Sequence, residues 1–205
     1  MLLRKHFNMH IEIEKLKRET LDLYGVKEGK SDYASNCLLA RRLAERGSRF
    51  IQLYHGGWDA HNNVEGNVKN QAKSIDQASA ALVQDLKRRG MLEDTLVVWG
   101  GEFGRTPMVE ASAALKRSGG RDHHPQAFTM WMAGGGIKGG VSVGETDELG
   151  YKPASNSVSI PDLHATILHL MGLDHERLVY RHHGSDETLT DARVTRARVV
   201  RELLA

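Results

Sequence analysis

Asp59 and His61 stand two residues apart in His55-Gly56-Gly57-Trp58-Asp59-Ala60-His61, just past the run Phe50-Ile51-Gln52-Leu53-Tyr54. A pair spaced this way in a loop can aim a carboxylate oxygen and an imidazole nitrogen at one cation. A helix cap or a turn explains the same pair, and Asn62 and Asn63 strengthen the turn reading. A second segment, Gly100-Gly101-Glu102-Phe103-Gly104-Arg105, directly follows Leu96-Val97-Val98-Trp99. Glu102 can bind metal, or it can hold Arg105, whose planar fork suits a carboxylate, phosphate or sulfate. Both readings stay open. The third segment, Arg121-Asp122-His123-His124, precedes the apolar run Phe128-Thr129-Met130-Trp131-Met132-Ala133. Adjacent histidines point in different directions, so one of His123 and His124 can ligate while the other hydrogen-bonds from behind.

The elements that must carry these segments alternate between helical and extended patterns. Residues 9–24 read as a charged helix closed by Gly25, and Tyr33 to Arg46 as an amphipathic one stopped by Gly47. Val68, Ala72, Ile75, Ser79, Leu82 and Leu86 fall at steps of three and four, predicting a helix from about Asn67 to Arg89. Ile160-Pro161-Asp162 opens a further helix whose core face is built on Leu163, Ile167, Leu170 and Met171. Between them, 50–54, 95–99 and 128–133 read as strands, the second covered on both faces. Strands alternating with helices predict a mostly parallel sheet with helices on both sides, and ligand-type residues at strand ends are where such a sheet builds its active site. The chain is expected to form a single domain over 1–205, with 1–30 as a peripheral helical segment.

Composition narrows the partners. A net charge of +2, with no basic stripe interleaved with aromatics, gives no support for nucleic-acid binding. No window approaches 18 consecutive apolar residues, so no transmembrane helix is expected. The N-terminus lacks an apolar stretch behind its positive charges, and no signal peptide is read there. The single cysteine, Cys37, reads as a small buried apolar residue. The glycine-rich run 134–140 lacks the G-x-G-x-x-G and P-loop patterns and reads as a tight turn. Asp162, His164, His169 and His175 read as structural or surface groups.

Four stretches together resemble the DUF1501 family of sulfatase-like proteins in the alkaline phosphatase superfamily. They are Tyr54 to His61, Leu96 to Pro107, Gly120 to Pro125, and Asp162 to His175. The resemblance implies an α/β/α sandwich of the alkaline phosphatase/sulfatase type, with a metal-assisted phosphoryl- or sulfuryl-transfer site at the strand ends. It implies that Asp59 and His61 serve one metal, that Glu102 takes the place of an Asp-His-Gly segment, and that His123 or His124 supplies the next ligand. Asp122 and His55 then support the ligands from behind, and Arg105 is the catalytic residue that stabilises the transferring anion. The implied cofactor is a divalent metal (Zn, Mn, Fe or Ca), with mixed histidine and carboxylate ligands suiting the first three better than an all-oxygen site would. The implied partner is a small-molecule phosphate or sulfate ester.

Two departures qualify the resemblance. Glu102-Phe103-Gly104 lacks the histidine of Asp-His-Gly, and relatives carry an N-terminal part with a first strand, a metal-binding Asp and the Ser, Thr or Cys nucleophile. The chain is therefore expected to be the C-terminal portion of a longer family member, with no nucleophile identifiable in it. Export is common among full-length relatives, and its signal would lie in that preceding part. The expected function is a metal-dependent phosphoric- or sulfuric-ester hydrolase-like domain lacking its nucleophile half. The alternatives are a non-catalytic metal- or anion-binding module and a decayed fragment without activity of its own.

Overall fold

The protein is described by a computed structural model over residues 18–205. Of the helix expected over 9–24, the part before Arg18 lies outside the described residues, as does most of the expected peripheral segment 1–30. The chain divides into two compact units. The first comprises the described part of Met1–Thr95 together with Glu110–Gly120, and the second comprises Leu96–Val109 and Arg121–Ala205.

The first unit is built on three helices: α1 (Arg18–Tyr24), α2 (Tyr33–Glu45) and α3 (Val64–Arg88). Asp32 caps α2, accepting from the Ser35 backbone N–H while the Ser35 hydroxyl accepts from the Asp32 N–H. Gly25 ends α1 at a φ of +73°, and Gln77 of α3 donates to the freed carbonyls of Asp22 and Leu23. α3 meets α1 and α2 through Ala78, Ala81 and Leu82, of which Leu82 alone belongs to the predicted stripe, against Tyr24, Ala34, Cys37 and Leu38. Val68, the first residue of that stripe, is exposed, so the stripe buries only from its second turn onward.

Inside this helical core lies an ionic network that the apolar pattern does not announce. Asp85 on α3 accepts from the Tyr24 hydroxyl at 3.0 Å and pairs with Arg41 Nε at 2.8 Å and Arg89 Nε at 2.8 Å. Glu45 in turn pairs with both Arg41 and Arg89. Burial pushes the Tyr24 phenol above its ordinary pKa, and the Asp85 charge adds to that.

A short hairpin completes the first unit: β3 (Glu110–Ser112) against β4 (Arg117–Gly120). The second unit contains β1 (Val97–Trp99), β2 (Gly104–Arg105), β5 (His123–His124), β6 (Trp131–Ala133), β7 (Glu145–Thr146) and β8 (Pro153–Ser155). After these come α4 (Ile160–Leu170), β9 (Val179–His182), β10 (Ser185–Thr188), α5 (Ala192–Thr195) and a 3-10 turn at Arg201–Leu203. Gly134, Gly135 and Gly136 all adopt positive φ in the turn after β6, where the Ile137 N–H donates to the Gly134 carbonyl.

The expected mostly parallel α/β/α sandwich is overturned. Every sheet among the described residues has two strands, and every pairing is antiparallel: β1–β6, β2–β5, β3–β4, β7–β8 and β9–β10. Parallel strands need both faces covered, and the candidate strands here are not. Phe50 and Tyr54 are 79% and 80% exposed, and the segment between them joins no ladder. Only the inward residue Leu53 packs on the helical core. In β1, Val98 is exposed, and the register instead sets Trp99 opposite Trp131, whose rings stack at 6.1 Å. No described helix is long and apolar enough to cross a membrane.

Candidate metal centre

In the first unit, the site loop is gripped from two sides. On the α3 side, Gln71 Oε1 lies 2.8 Å from His55 Nε2, and Asn67 donates to the Gly57 carbonyl at 2.8 Å. The His55 ring sits edge-on to Tyr33 and Trp58. This ties His55 to α3 and an aromatic cluster. From the other side the β3–β4 hairpin docks on the residues after His61. The Ser118 N–H donates to Asn62 Oδ1 at 2.7 Å, and Asn62 and Gly119 form an antiparallel bridge. Gly120 makes this approach possible: a Cβ there would come within 2.1 Å of the His61 carbonyl carbon.

The grip fixes His61 between two carboxylates. Its Nε2 lies 3.1 Å from Asp59 Oδ1, and its Nδ1 lies 2.6 Å from Glu110 Oε2. Arg117 Nη1 holds the other oxygen of Glu110 at 2.7 Å. The hydrogen bond from His61, then the Arg117 charge, holds the Glu110 carboxyl below the usual glutamate range. Asp59 is more open to solvent than either His61 or Glu110.

In the second unit, the other two sequence segments are joined by a ladder that the sequence alone does not reveal. Gly104 pairs with His124 and Arg105 with His123. The ladder continues as the Thr106 N–H donates to the Asp122 carbonyl at 2.9 Å and the Asp122 N–H to Thr106 Oγ1 at 3.1 Å. Gly104 again permits the contact, since a Cβ there would lie 2.2 Å from the Ala127 carbonyl oxygen. Arg105 Nη2 is 3.6 Å from Glu102 Oε1, and its guanidinium lies 5.6 Å from the Phe103 ring centroid. Phe103 also packs on His123 at 4.7 Å.

The adjacent histidines separate clearly. His124 is buried, its ring against Tyr151 at 4.6 Å and its Nε2 on the Tyr151 carbonyl. His123 is exposed. Asp122 turns its Oδ1 back to the His123 N–H at 2.8 Å.

Groupings of His, Asp and Glu that could hold a metal ion occur among the described residues. Within the first unit, Asp59, His61 and Glu110 are members of such groupings. Glu110 has no counterpart among the sequence-predicted ligands. It falls in Val109-Glu110-Ala111-Ser112-Ala113, whose short alternation and whose spacing, which brings 110–112 onto 117–120, mark a hairpin but not a ligand.

A family model described as "Protein of unknown function (DUF1501)" matches residues 3–204. The chain belongs to the DUF1501 family. All the candidate residues of this DUF1501 chain lie inside the matched range. Comparison with curated proteins and with solved structures returned no match.

Proposed function

We propose that this DUF1501 chain is a divalent-metal-binding, phosphoric- or sulfuric-ester hydrolase-like domain of the sulfatase and alkaline phosphatase kind. In this reading Asp59 and His61 are metal ligands. The observation that carries it is the 3.1 Å separation of Asp59 Oδ1 from His61 Nε2, with His61 Nδ1 occupied by Glu110. Two ligand atoms on a tetrahedral ion at about 2.0–2.1 Å stand about 3.3 Å apart. Either a proton on Nε2 or a bound cation relieves the repulsion between an imidazole nitrogen and a carboxylate oxygen this close, and in this reading it is the cation. The donor set, imidazole nitrogen with carboxylate oxygen, fits Zn, Mn or Fe.

Of the two adjacent histidines of the second unit, His124 is committed to the Tyr151 carbonyl, which leaves His123 as the one that can ligate. A bound divalent ion would supply Lewis-acid polarisation of an ester oxygen. Arg105 would stabilise the negative charge of the transferring group, with Glu102 and Phe103 limiting the directions its fork can take. Glu102 acts in this reading by holding Arg105, and Asp122 by fixing the backbone before His123.

A second reading, a module that binds the ion or an anion without turnover, is favoured by the fate of two potential nucleophiles. Cys37 lies in the helical core, where burial pushes its thiol up to about 11. The Thr106 hydroxyl is engaged in the turn, donating to the Met108 carbonyl and accepting from the Asp122 N–H.

The test is metal analysis of chain purified without chelator, followed by Zn2+ and Mn2+ titrations of wild type, Asp59→Ala and His61→Ala. The expected result is near-stoichiometric divalent metal and a large loss of affinity in both variants. A chain that retains no metal, or whose affinity neither substitution changes, overturns the metal reading. Hydrolysis of aryl phosphate or aryl sulfate by the loaded chain then separates the enzyme from the binding module.

A further inference from the structure

We infer that Glu110 is a positioning residue: it holds His61 as the Nδ1–H tautomer and so presents Nε2, on the Asp59 side, for ligation. This rests on the metal reading above and adds a residue to it. Neutral imidazole carries one proton, and the hydrogen bond made at one ring nitrogen decides which one carries it. Glu110 Oε2 lies 2.6 Å from Nδ1, short enough for a charge-assisted bond, and a carboxylate can only accept there. Asp59 Oδ1 also faces the ring, at Nε2, but at 3.1 Å against 2.6 Å, so the single proton of the neutral ring goes to the closer, Arg117-fixed carboxylate at Nδ1 and the in-plane lone pair is on Nε2.

The carboxylate is itself fixed. Arg117 holds its second oxygen at 2.7 Å, and the hairpin carrying both residues is bridged to Asn62, next to His61. Three observations thus converge on one ring orientation: a pinned carboxylate, a docked hairpin, and Gly120, whose missing Cβ lets that hairpin close on the His61 backbone. Carboxylates placed behind a ligating histidine also raise its basicity toward the ion.

The test uses the full chain with Zn2+ as probe, in wild type, Glu110→Ala, Glu110→Gln and Arg117→Ala. Glu110→Ala is expected to weaken Zn2+ binding by about 10–100-fold. Glu110→Gln, whose amide oxygen still accepts from Nδ1–H, recovers most of that loss. Arg117→Ala, which removes the neighbouring ion pair but leaves the acceptor, stays within about fivefold of wild type.

Long-range 1H–15N spectra of the metal-free chain, recorded at a pH where the 15N shifts of His61 themselves show a neutral ring, give an independent readout. His61 carries its proton on Nδ1 in wild type and shifts toward Nε2–H in Glu110→Ala. A wild-type His61 protonated on Nε2 overturns the inference. So does an equal loss of affinity in Glu110→Ala and Arg117→Ala, which would assign the effect to the hairpin. If no variant binds Zn2+, the metal reading fails, while the spectra still decide whether Glu110 sets the ring.

Discussion

Asp85 shows how much one side chain can hold in the first unit. It is 5% exposed and receives a tyrosine hydroxyl and two guanidinium groups, one of them from the equally buried Arg41. Removing the carboxylate leaves Arg41 charged in the core with the half-buried Glu45 as its remaining carboxylate partner, and leaves the Tyr24 hydroxyl without its acceptor. Asp85→Ala is therefore expected to cost about 3–5 kcal/mol, read as a lowered midpoint in chemical denaturation with little change in slope. A loss below about 1 kcal/mol, the range of exposed pairs, would show that water reaches Arg41. The sequence gives no hint of this residue, since an acid within an amphipathic helix ordinarily lies on the solvent face. Only the packing of α1 and α2 over that turn of α3 encloses it. His61 is the opposite case: its residue type and spacing from Asp59 mark it as a candidate ligand, while its partner Glu110, 49 residues away, carries no local mark as one.

Among the elements, helices were legible and sheets were not. Periodicity of 3.6 with glycine stops located α2, α3 and α4 to within a few residues, because one helix carries its whole hydrogen-bond pattern in its own sequence. A strand does not: its partner lies elsewhere, and an apolar run names neither that partner nor the direction of pairing. The run Val97–Trp99 thus pairs antiparallel with Trp131–Ala133, whereas Phe50–Tyr54 pairs with nothing among the described residues. The ladder of Gly104–Arg105 with His123–His124 is two residues long and has no hydrophobic signature.

Even in α4 the buried face differs from the apolar one. Asp162, Ala165, Thr166 and Leu168 are buried, because the tail docks there: the Arg198 N–H donates to Asp162 Oδ1 and the Val200 N–H to Thr166 Oγ1. Burial alone would raise the Asp162 pKa. The N–H of Arg198 and the hydroxyl and N–H of Ser159 outweigh it, and the net shift is downward. A carboxyl lowered on folding contributes stability that is complete above its unfolded pKa of about 3.9. That contribution is lost as pH falls through the lower folded value. Melts of wild type and Asp162→Asn across pH 6 to about 2 should show a shallower acid limb in the variant. Parallel limbs would show that the charge of Asp162 does not support the tail.

At the scale of the whole molecule, the helical unit holds its core in side chains from three helices, and the second unit holds its own around α4 and the tail. A metal ion that binds the folded chain and not the unfolded one must stabilise it by mass action. With Zn2+ at one hundred times its dissociation constant the gain is about 2.7 kcal/mol. For a chain of this length that raises the thermal midpoint by about 5–10 °C. Scanning calorimetry with and without Zn2+ and EDTA measures it directly. A midpoint indifferent to Zn2+ would remove the ion from the folded state, and Asp59→Ala should remove most of any shift that is seen.

The return of residues 110–120 to the first unit also has a consequence for synthesis. Translation delivers the histidine well before the acid that is to orient it, and a gap of 49 residues at bacterial or eukaryotic elongation speeds lasts about 2–10 s. During that interval the three helices can already meet, but His61 has no Glu110 to receive its proton. The nascent chain therefore passes through a stage in which its helical core can be complete and the His61 ring is not yet set. A gene fragment ending at Thr95 would hold the protein at that stage for good.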